Sequence, residues 1–115
     1  MSRLTELFSR LKRQQKRALI PYVVAGDPSP SGTVQLLHRL VAAGADVLEV
    51  GVPFSDPMSE GLVIQLGHER ALANGITLRA VLDLVQEFRR GQYRDAGCLD
   101  GICKPHRAFW LRCVC

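Results

Sequence analysis

Cysteine is missing from the first 97 residues of this 115-residue chain. All four cysteines lie in the last part of the sequence, at Cys98, Cys103, Cys113 and Cys115. Their spacings match no common zinc-ligand pattern, and a disulfide is not expected in a cytosolic protein. The cysteines therefore predict neither a metal site nor a disulfide framework, and their clustering needs another explanation.

Long apolar runs are also absent, because no stretch is long enough to span a bilayer. The first residues are amphipathic and basic, unlike a signal peptide. With 47% hydrophobic and 23% charged residues, the composition is that of an ordinary soluble chain with at most one domain. We therefore expect a cytoplasmic protein without a membrane partner.

Aromatic residues make up only 6% of the chain, although the formal net charge is +4. The basic residues form an early and a late cluster: Lys12, Arg13, Lys16 and Arg17, then Arg89, Arg90 and Arg94. No aromatic residues interleave with them as a nucleic-acid surface favours. The clusters are predicted to be solvated helix faces rather than a nucleic-acid interface.

The apolar pattern alternates between helix and strand. Residues 4–11 have helical spacing, and residues 18–25 form an apolar run typical of a strand buried on both faces. A helix from Ser31, ended by Gly44 at positive φ, precedes a second strand at residues 46–50. Residues 64–74 predict a third helix, and Thr77 is a predicted N-cap for a fourth. This order predicts parallel βα units in a barrel or a doubly wound sheet, and two strands do not decide between them.

Glu49 is the first candidate for chemistry. It alternates with neighbours expected to face the helices, so its carboxyl group is predicted to face the interior at the end of a strand. Burial disfavours the charged form of a carboxyl group and so prepares it for proton transfer. The alternative is a structural acid paired with an Arg or Lys.

Glu60 follows in the next loop and could reach the same substrate from another side. Loop acids are more often simply solvated. His38, His68 and His106 form no metal pattern, and His38 and His68 are predicted to lie on helix surfaces. Gly26 and Gly51 follow strands without forming a phosphate-cradling motif.

The ten residues from Leu48 to Pro57, followed by Glu60 and Gly61, are similar to the signature stretch of the tryptophan synthase alpha family. The residues around Tyr22 and Gly26, residues 43–46 and residues 70–75 also resemble the family in order and without gaps. The resemblance covers the chain from about Leu4 to Arg90.

This resemblance implies the N-terminal portion of a TIM (β/α)8 barrel, incomplete here, in the α/β class. It implies a lyase that cleaves indole-3-glycerol phosphate to indole and glyceraldehyde 3-phosphate without a cofactor or metal. It also implies a tryptophan synthase beta subunit as partner in an α2β2 complex. Glu49 matches the family's catalytic acid, Glu60 the acceptor for the indole N–H, and Tyr22 an aromatic residue of the indole pocket. Pro53, Phe54 and Asp56 match the loop that contacts the beta subunit.

Two positions depart from the family pattern. Glu60 stands where the family has aspartate, and Leu62 stands where it has proline. The extra methylene displaces the carboxylate by more than the ~0.5 Å tolerance of a preorganised site. From the sequence we therefore expect Glu60→Asp to raise kcat of a complete protein by about tenfold.

The tail departs further, because residues 91–115 show no strand-like run and no likeness to the family. If the reading frame is shifted by one base, the codons of Asp95 to Trp110 can encode an amino-acid sequence that closely resembles the family's third strand. We therefore divide the chain into barrel units at residues 1–90 and an out-of-frame tail at residues 91–115, with the cysteines a by-product of the shift.

The prediction is thus a truncated alpha-type lyase, inactive as it stands and weakly folded because a parallel strand edge stays open. A non-catalytic fragment that binds the beta subunit is the alternative. Another barrel enzyme, acting on a phosphorylated sugar, is disfavoured by the match from Glu49 to Pro57.

Overall fold

The computed structural model describes residues 3–55 and 60–91, together with the backbone of residues 99–103 and 110–114. The elements are α1 (Arg3–Arg13), β1 (Tyr22–Val24), α2 (Pro30–Ala42), β2 (Val47–Gly51), α3 (Leu62–Ala73), α4 (Leu78–Gly91), β3 (Leu99–Cys103) and β4 (Trp110–Val114). Within these residues, no helix is both long and apolar enough to cross a membrane.

The two N-terminal strands are parallel, as the alternation of strands and helices predicts. Tyr22 is paired with Glu49, and Val24 with Gly51. Strand β1 is shorter than the predicted residues 18–25, and Leu19 is 54% exposed rather than buried. Pro21 has no N–H to donate, which limits the regular ladder on this side. Backbone pairing nevertheless continues, because the Glu49 N–H donates to the Pro21 carbonyl at 3.0 Å.

The tail forms two strands, contrary to the sequence prediction. The sheet order is β1-β2-β4-β3, and β4 runs antiparallel to β2 from Val47 to Gly51. Strands β3 and β4 are also antiparallel. The free edge of β2 is therefore covered by backbone hydrogen bonds, which corrects the expected open parallel edge. Pairing between distant residues, which a local apolar pattern does not record, explains the error.

Strand β2 presents different residues to its two faces. Leu48 and Val50 are buried in the main core, which also contains residues of α2, α3 and α4. Val47 packs against Leu7 and Leu11 of α1 instead. Because side chains alternate along a strand, Glu49 lies on the Val47 face, away from the main core. The predicted orientation of Glu49 relative to its neighbours is confirmed.

The helix boundaries follow from caps and glycines. The Ser29 hydroxyl accepts the Gly32 N–H at 3.2 Å, so α2 begins at Pro30, one residue before the predicted start. Gly44 has a φ of +107°, as predicted for the end of that helix. The Thr77 hydroxyl accepts the Ala80 N–H at 3.1 Å, which confirms it as the N-cap of α4.

Large apolar side chains remain exposed on several elements of the described chain. Leu62 is 69% exposed and Val63 is 77% exposed at the start of α3, and Ile20 before β1 is 43% exposed. In a complete barrel, neighbouring units would be available to cover such surfaces. The low solubility and weak folding expected for the isolated chain stay predictions.

Candidate functional site

The candidate site lies towards the carboxyl end of β2, as predicted for Glu49, and the ring of Tyr22, the first residue of β1, reaches over Gly51 there. Tyr22 and Glu49 are neighbours in the parallel ladder. The Glu49 side chain is partly buried and lines a cavity of about 210 Å³ together with Leu4, Phe8, Ile20 and Val47. The other described residues around this cavity are apolar, so Glu49 is the group there that can carry a proton.

Tyr22 links the two carboxyl groups of the site electrostatically. Burial raises the pKa of its hydroxyl well above the usual value, and the negative charges of Glu60 and Glu49 raise that pKa further. The hydroxyl therefore stays protonated throughout the pH range in which proteins work. Tyr22 is paired with Glu49 in the ladder, and its hydroxyl lies 3.3 Å from His68 Nε2, which in turn lies 3.0 Å from Glu60 Oε2, so Tyr22 is close to both glutamates.

Gly51, the last residue of β2, makes room for the Tyr22 ring. A Cβ atom added at Gly51 would overlap the Tyr22 hydroxyl and lie 2.7 Å from its Cζ. The overlap is with the ring itself rather than with the end of a flexible chain. Glycine is therefore required at position 51 for Tyr22 to lie across the strand end.

Glu60 is buried, which differs from the usual solvated position of a loop acid. Its side chain is 8% exposed, and its Oε2 lies 3.0 Å from His68 Nε2. This contact does not meet hydrogen-bond geometry, and among the described residues neither carboxylate oxygen of Glu60 has a hydrogen-bond partner. The two side chains are therefore close neighbours without a hydrogen bond between them. A buried carboxylate without a donor is costly, so the site is suited to a ligand that brings an N–H or O–H.

His68 is buried, so its predicted position on a helix surface is wrong. Only 2% of the residue is exposed. Its Nδ1 accepts the Phe54 N–H at 2.9 Å, and its Nε2 lies 3.3 Å from the Tyr22 hydroxyl. His68 thus contacts β1, the loop after β2 and Glu60 at once.

A sequence signal for His68 existed in the helical period. Gly67, His68 and Ala71 are the buried residues of α3, and Ile64 packs against the main core. The steps from Ile64 to His68 and from His68 to Ala71 are four and three residues, which is the spacing of one helix face. This stripe indicates that His68 is buried beside Ile64 and Ala71 rather than on the helix surface.

Two features hold α3 against β1 and so place His68 in the site. Arg70 donates to both carboxylate oxygens of Asp27, from Nε at 2.7 Å and from Nη2 at 3.0 Å. The Asn74 side chain donates to the Gly26 and Pro28 carbonyls. A Cβ at Gly67 would lie 3.0 Å from the Asp27 carboxylate, so a small residue permits the close approach.

The loop predicted to contact a partner is only partly described. Pro53 is buried, whereas Phe54 is 38% exposed although its N–H is held by His68. Asp56 lies outside the described residues. The structure thus places one predicted partner residue, Phe54, where another molecule can reach it, and it places Pro53 in the interior.

The remaining histidines offer no metal centre in the part of the chain that the structure describes. No group of three His, Cys, Asp or Glu residues there could hold a metal ion. His38 is partly buried, and its ring lies 4.7 Å from that of Phe88 on α4. It has a packing role between helices, and His106 lies outside the described residues.

The parallel strands β1 and β2, joined through α2 and with carboxyl groups beside them, define an α/β unit with a strand-end site, and the matched solved structures make it the N-terminal part of a (β/α)8 barrel. The family described as tryptophan synthase alpha chain matches residues 8–96. The chain belongs to this family.

Relatives and solved structures agree with this assignment. The tryptophan synthase alpha chain of Azoarcus sp. is 53% identical over 109 residues, which are 95% of this chain and 40% of that protein. The alpha chain of Nitrosococcus oceani is 55% identical over 105 residues, 91% of this chain and 39% of that protein. The crystal structure of tryptophan synthase subunit alpha from Legionella pneumophila has a TM-score of 0.77 at 52% identity, covering 80% of this chain and 35% of that one.

The matches cover most of this chain but less than half of each relative. The chain spans about 40% of the length of the curated relatives it matches. The matched residues also continue past Arg90, since the family model alone reaches residue 96.

Proposed function

We propose that this chain forms the acid and acceptor side of an active site that cleaves indole-3-glycerol phosphate to indole and glyceraldehyde 3-phosphate. The observation that carries the proposal is the Glu60 carboxylate, 8% exposed and without a hydrogen-bond donor among the described residues. An indole N–H is a donor of the required kind. Family membership and the neighbouring Glu49 support the same reaction.

In the proposed reaction, Glu49 gives a proton to the indole ring carbon that carries the glycerol chain. Positive charge then spreads onto the ring nitrogen, and the Glu60 carboxylate accepts the N–H and stabilises that charge. The Glu49 carboxylate left by the first step then takes the proton of the adjacent glycerol hydroxyl. The carbon–carbon bond breaks, its electron pair returns to the indole ring, and the hydroxyl-bearing carbon becomes the aldehyde. Tyr22 lines the pocket for the ring. No cofactor or metal takes part.

Activity requires more of the barrel than the 115 residues provide, because phosphate-binding loops in such barrels follow later strands. We therefore expect the isolated chain to be inactive. The test is a chimaera in which residues 1–90 replace the aligned segment of the Azoarcus sp. alpha chain. The chimaera should release indole from indole-3-glycerol phosphate within about tenfold of the parent rate. A folded chimaera with no activity, beside an active parent, would overturn the proposal.

A second role, docking on a tryptophan synthase beta subunit, is favoured by the exposed ring of Phe54 on a backbone held by His68. A solved structure of a tryptophan synthase complex from Pyrococcus furiosus covers 65% of this chain with a TM-score of 0.61. A pull-down of the 115-residue chain with purified beta subunit tests this role. If the beta subunit retains the chain but not its Phe54→Ala variant, docking is supported. If the beta subunit retains neither of the two, docking is contradicted.

We also propose that residues 91–115 are read out of frame. The protein with the frame restored is proposed to be a soluble cytoplasmic enzyme of tryptophan biosynthesis. The shifted reading of the codons from Asp95 to Trp110 supports the shift, and the match beyond Arg90 weighs against a boundary at codon 91. Correcting the frame should open about 150 further codons, giving the ~250 residues of a complete barrel. Sequencing the gene checks this, and early stop codons in the corrected frame would contradict it.

A further inference from the structure

The His68 imidazole joins three parts of the candidate site. Its ring contacts the Phe54 backbone, the Tyr22 hydroxyl and the Glu60 carboxylate. With 2% of the residue exposed, water cannot substitute for these groups. A buried imidazole with polar neighbours on both nitrogens is constrained in its orientation and in its protonation.

The Phe54 contact fixes the tautomer of His68. A backbone N–H can only donate, so Nδ1, which lies 2.9 Å from the Phe54 nitrogen, must be the acceptor and carries no proton. The ring is therefore neutral, and its single proton is on Nε2. That nitrogen lies 3.3 Å from the Tyr22 oxygen and 3.0 Å from Glu60 Oε2. Tyr22 therefore accepts from Nε2–H, and Glu60 Oε2 lies beside the same proton.

We propose that His68 is a positioning residue that holds the Glu60 carboxylate where it meets the substrate N–H. This inference rests on the proposed function. The positive end of the Nε2–H dipole attracts Oε2 without a hydrogen bond between them, and Oε1 stays available to the substrate. His68 acts through Glu60 and does not itself exchange a proton, because Nδ1 is occupied by the Phe54 N–H.

His68 also gives a physical reason for glutamate at position 60. Where the family pattern has aspartate, the carboxylate would end one carbon–carbon bond, about 1.5 Å, earlier. Shortening Glu60 would therefore withdraw Oε2 from Nε2, which it now approaches at 3.0 Å. This contact reverses the expectation from the sequence, so Glu60→Asp should lower kcat rather than raise it.

The test compares two amides at position 68 in the chimaera. The amide of His68→Gln reaches the place of Nε2 and keeps a donor near Glu60. The amide of His68→Asn reaches only the place of Nδ1, where its oxygen can accept the Phe54 N–H. Because a misplacement of about 1 Å can cost about 100-fold, we expect kcat to fall about 100-fold in His68→Asn and less than about threefold in His68→Gln, with KM little changed. His38→Gln, on a packing histidine, is the matched control and should leave kcat unchanged.

The same cycle includes Glu60→Asp with and without His68→Asn. Glu60→Asp should lower kcat at least tenfold when His68 is present and have little further effect in the double variant. Nitrogen NMR of the chimaera should show Nδ1 of His68 unprotonated and Nε2 protonated. Equal losses in His68→Gln and His68→Asn, or independent effects in the cycle, would overturn the inference while an active parent chimaera leaves the proposed function standing. A silent parent chimaera refutes the proposed function instead.

Discussion

Glu49→Gln in the chimaera should abolish measurable indole release, lowering kcat by about a thousandfold or more. The amide keeps the shape of the side chain but cannot supply the proton that turns the indole ring into a leaving group. General acid catalysis contributes about 10² to 10⁴ in rate, so a thousandfold loss corresponds to about 4 kcal/mol of transition-state stabilisation. Steady-state indole release measures the effect.

The matched control is Glu87→Gln, which changes an exposed glutamate on α4 in the same chemical way. It should leave kcat and KM unchanged. Substrate should still bind to the Glu49→Gln chimaera, since the lost proton acts on the chemical step and not on binding. If Glu49→Gln retains a tenth or more of the activity, Glu49 is not the proton donor and the assignment of the acid is wrong.

Gly51→Ala should cause the second large loss. The new Cβ would overlap the Tyr22 hydroxyl and ring, so the ring must move away from the strand end. Overpacking of this kind costs about 1 to 3 kcal/mol of stability. We also expect kcat to fall about 100-fold, because His68 and Glu60 lose the neighbour that completes their arrangement.

Thermal denaturation and steady-state kinetics of the chimaera measure the two effects of Gly51→Ala separately. Gly32→Ala is the control, because that glycine lies in α2, where the one atom of the described residues within 4 Å of an added Cβ is Ser29 Oγ. It should leave kcat unchanged. An active Gly51→Ala protein with an ordinary melting temperature would show that Tyr22 does not need its place across β2.

The sequence predicted those parts of the molecule that depend on local periodicity and caps. The alternation around Glu49 gave its face of β2, and Thr77 and Gly44 were placed at helix ends as the structure has them. Each of these features is decided within a few residues along the chain, which is the range that a hydrophobic pattern records.

Features decided by distant residues were missed. The Glu60 side chain is buried because α3 packs against β1. Arg70 of α3 and Asp27 after β1 form an ion pair there, although they are 43 positions apart in the sequence. The burial of His68 follows from the same packing, although its helical stripe could have been recognised. The pairing of β4 with β2 joins residues more than fifty positions apart, and neither strand shows in its own pattern that it will pair.

The measurement that most directly tests the role of Glu60 compares indole-3-glycerol phosphate with its N-methyl analogue, which has no ring N–H. In the parent chimaera, kcat/KM should fall about 100-fold with the analogue, because the buried carboxylate is then left without its donor. In Glu60→Gln, which has the same shape and therefore the same steric response to the methyl group, the ratio should shrink to less than about tenfold. The same ratio in both proteins would show that Glu60 does not recognise the N–H, and would contradict the account of this site.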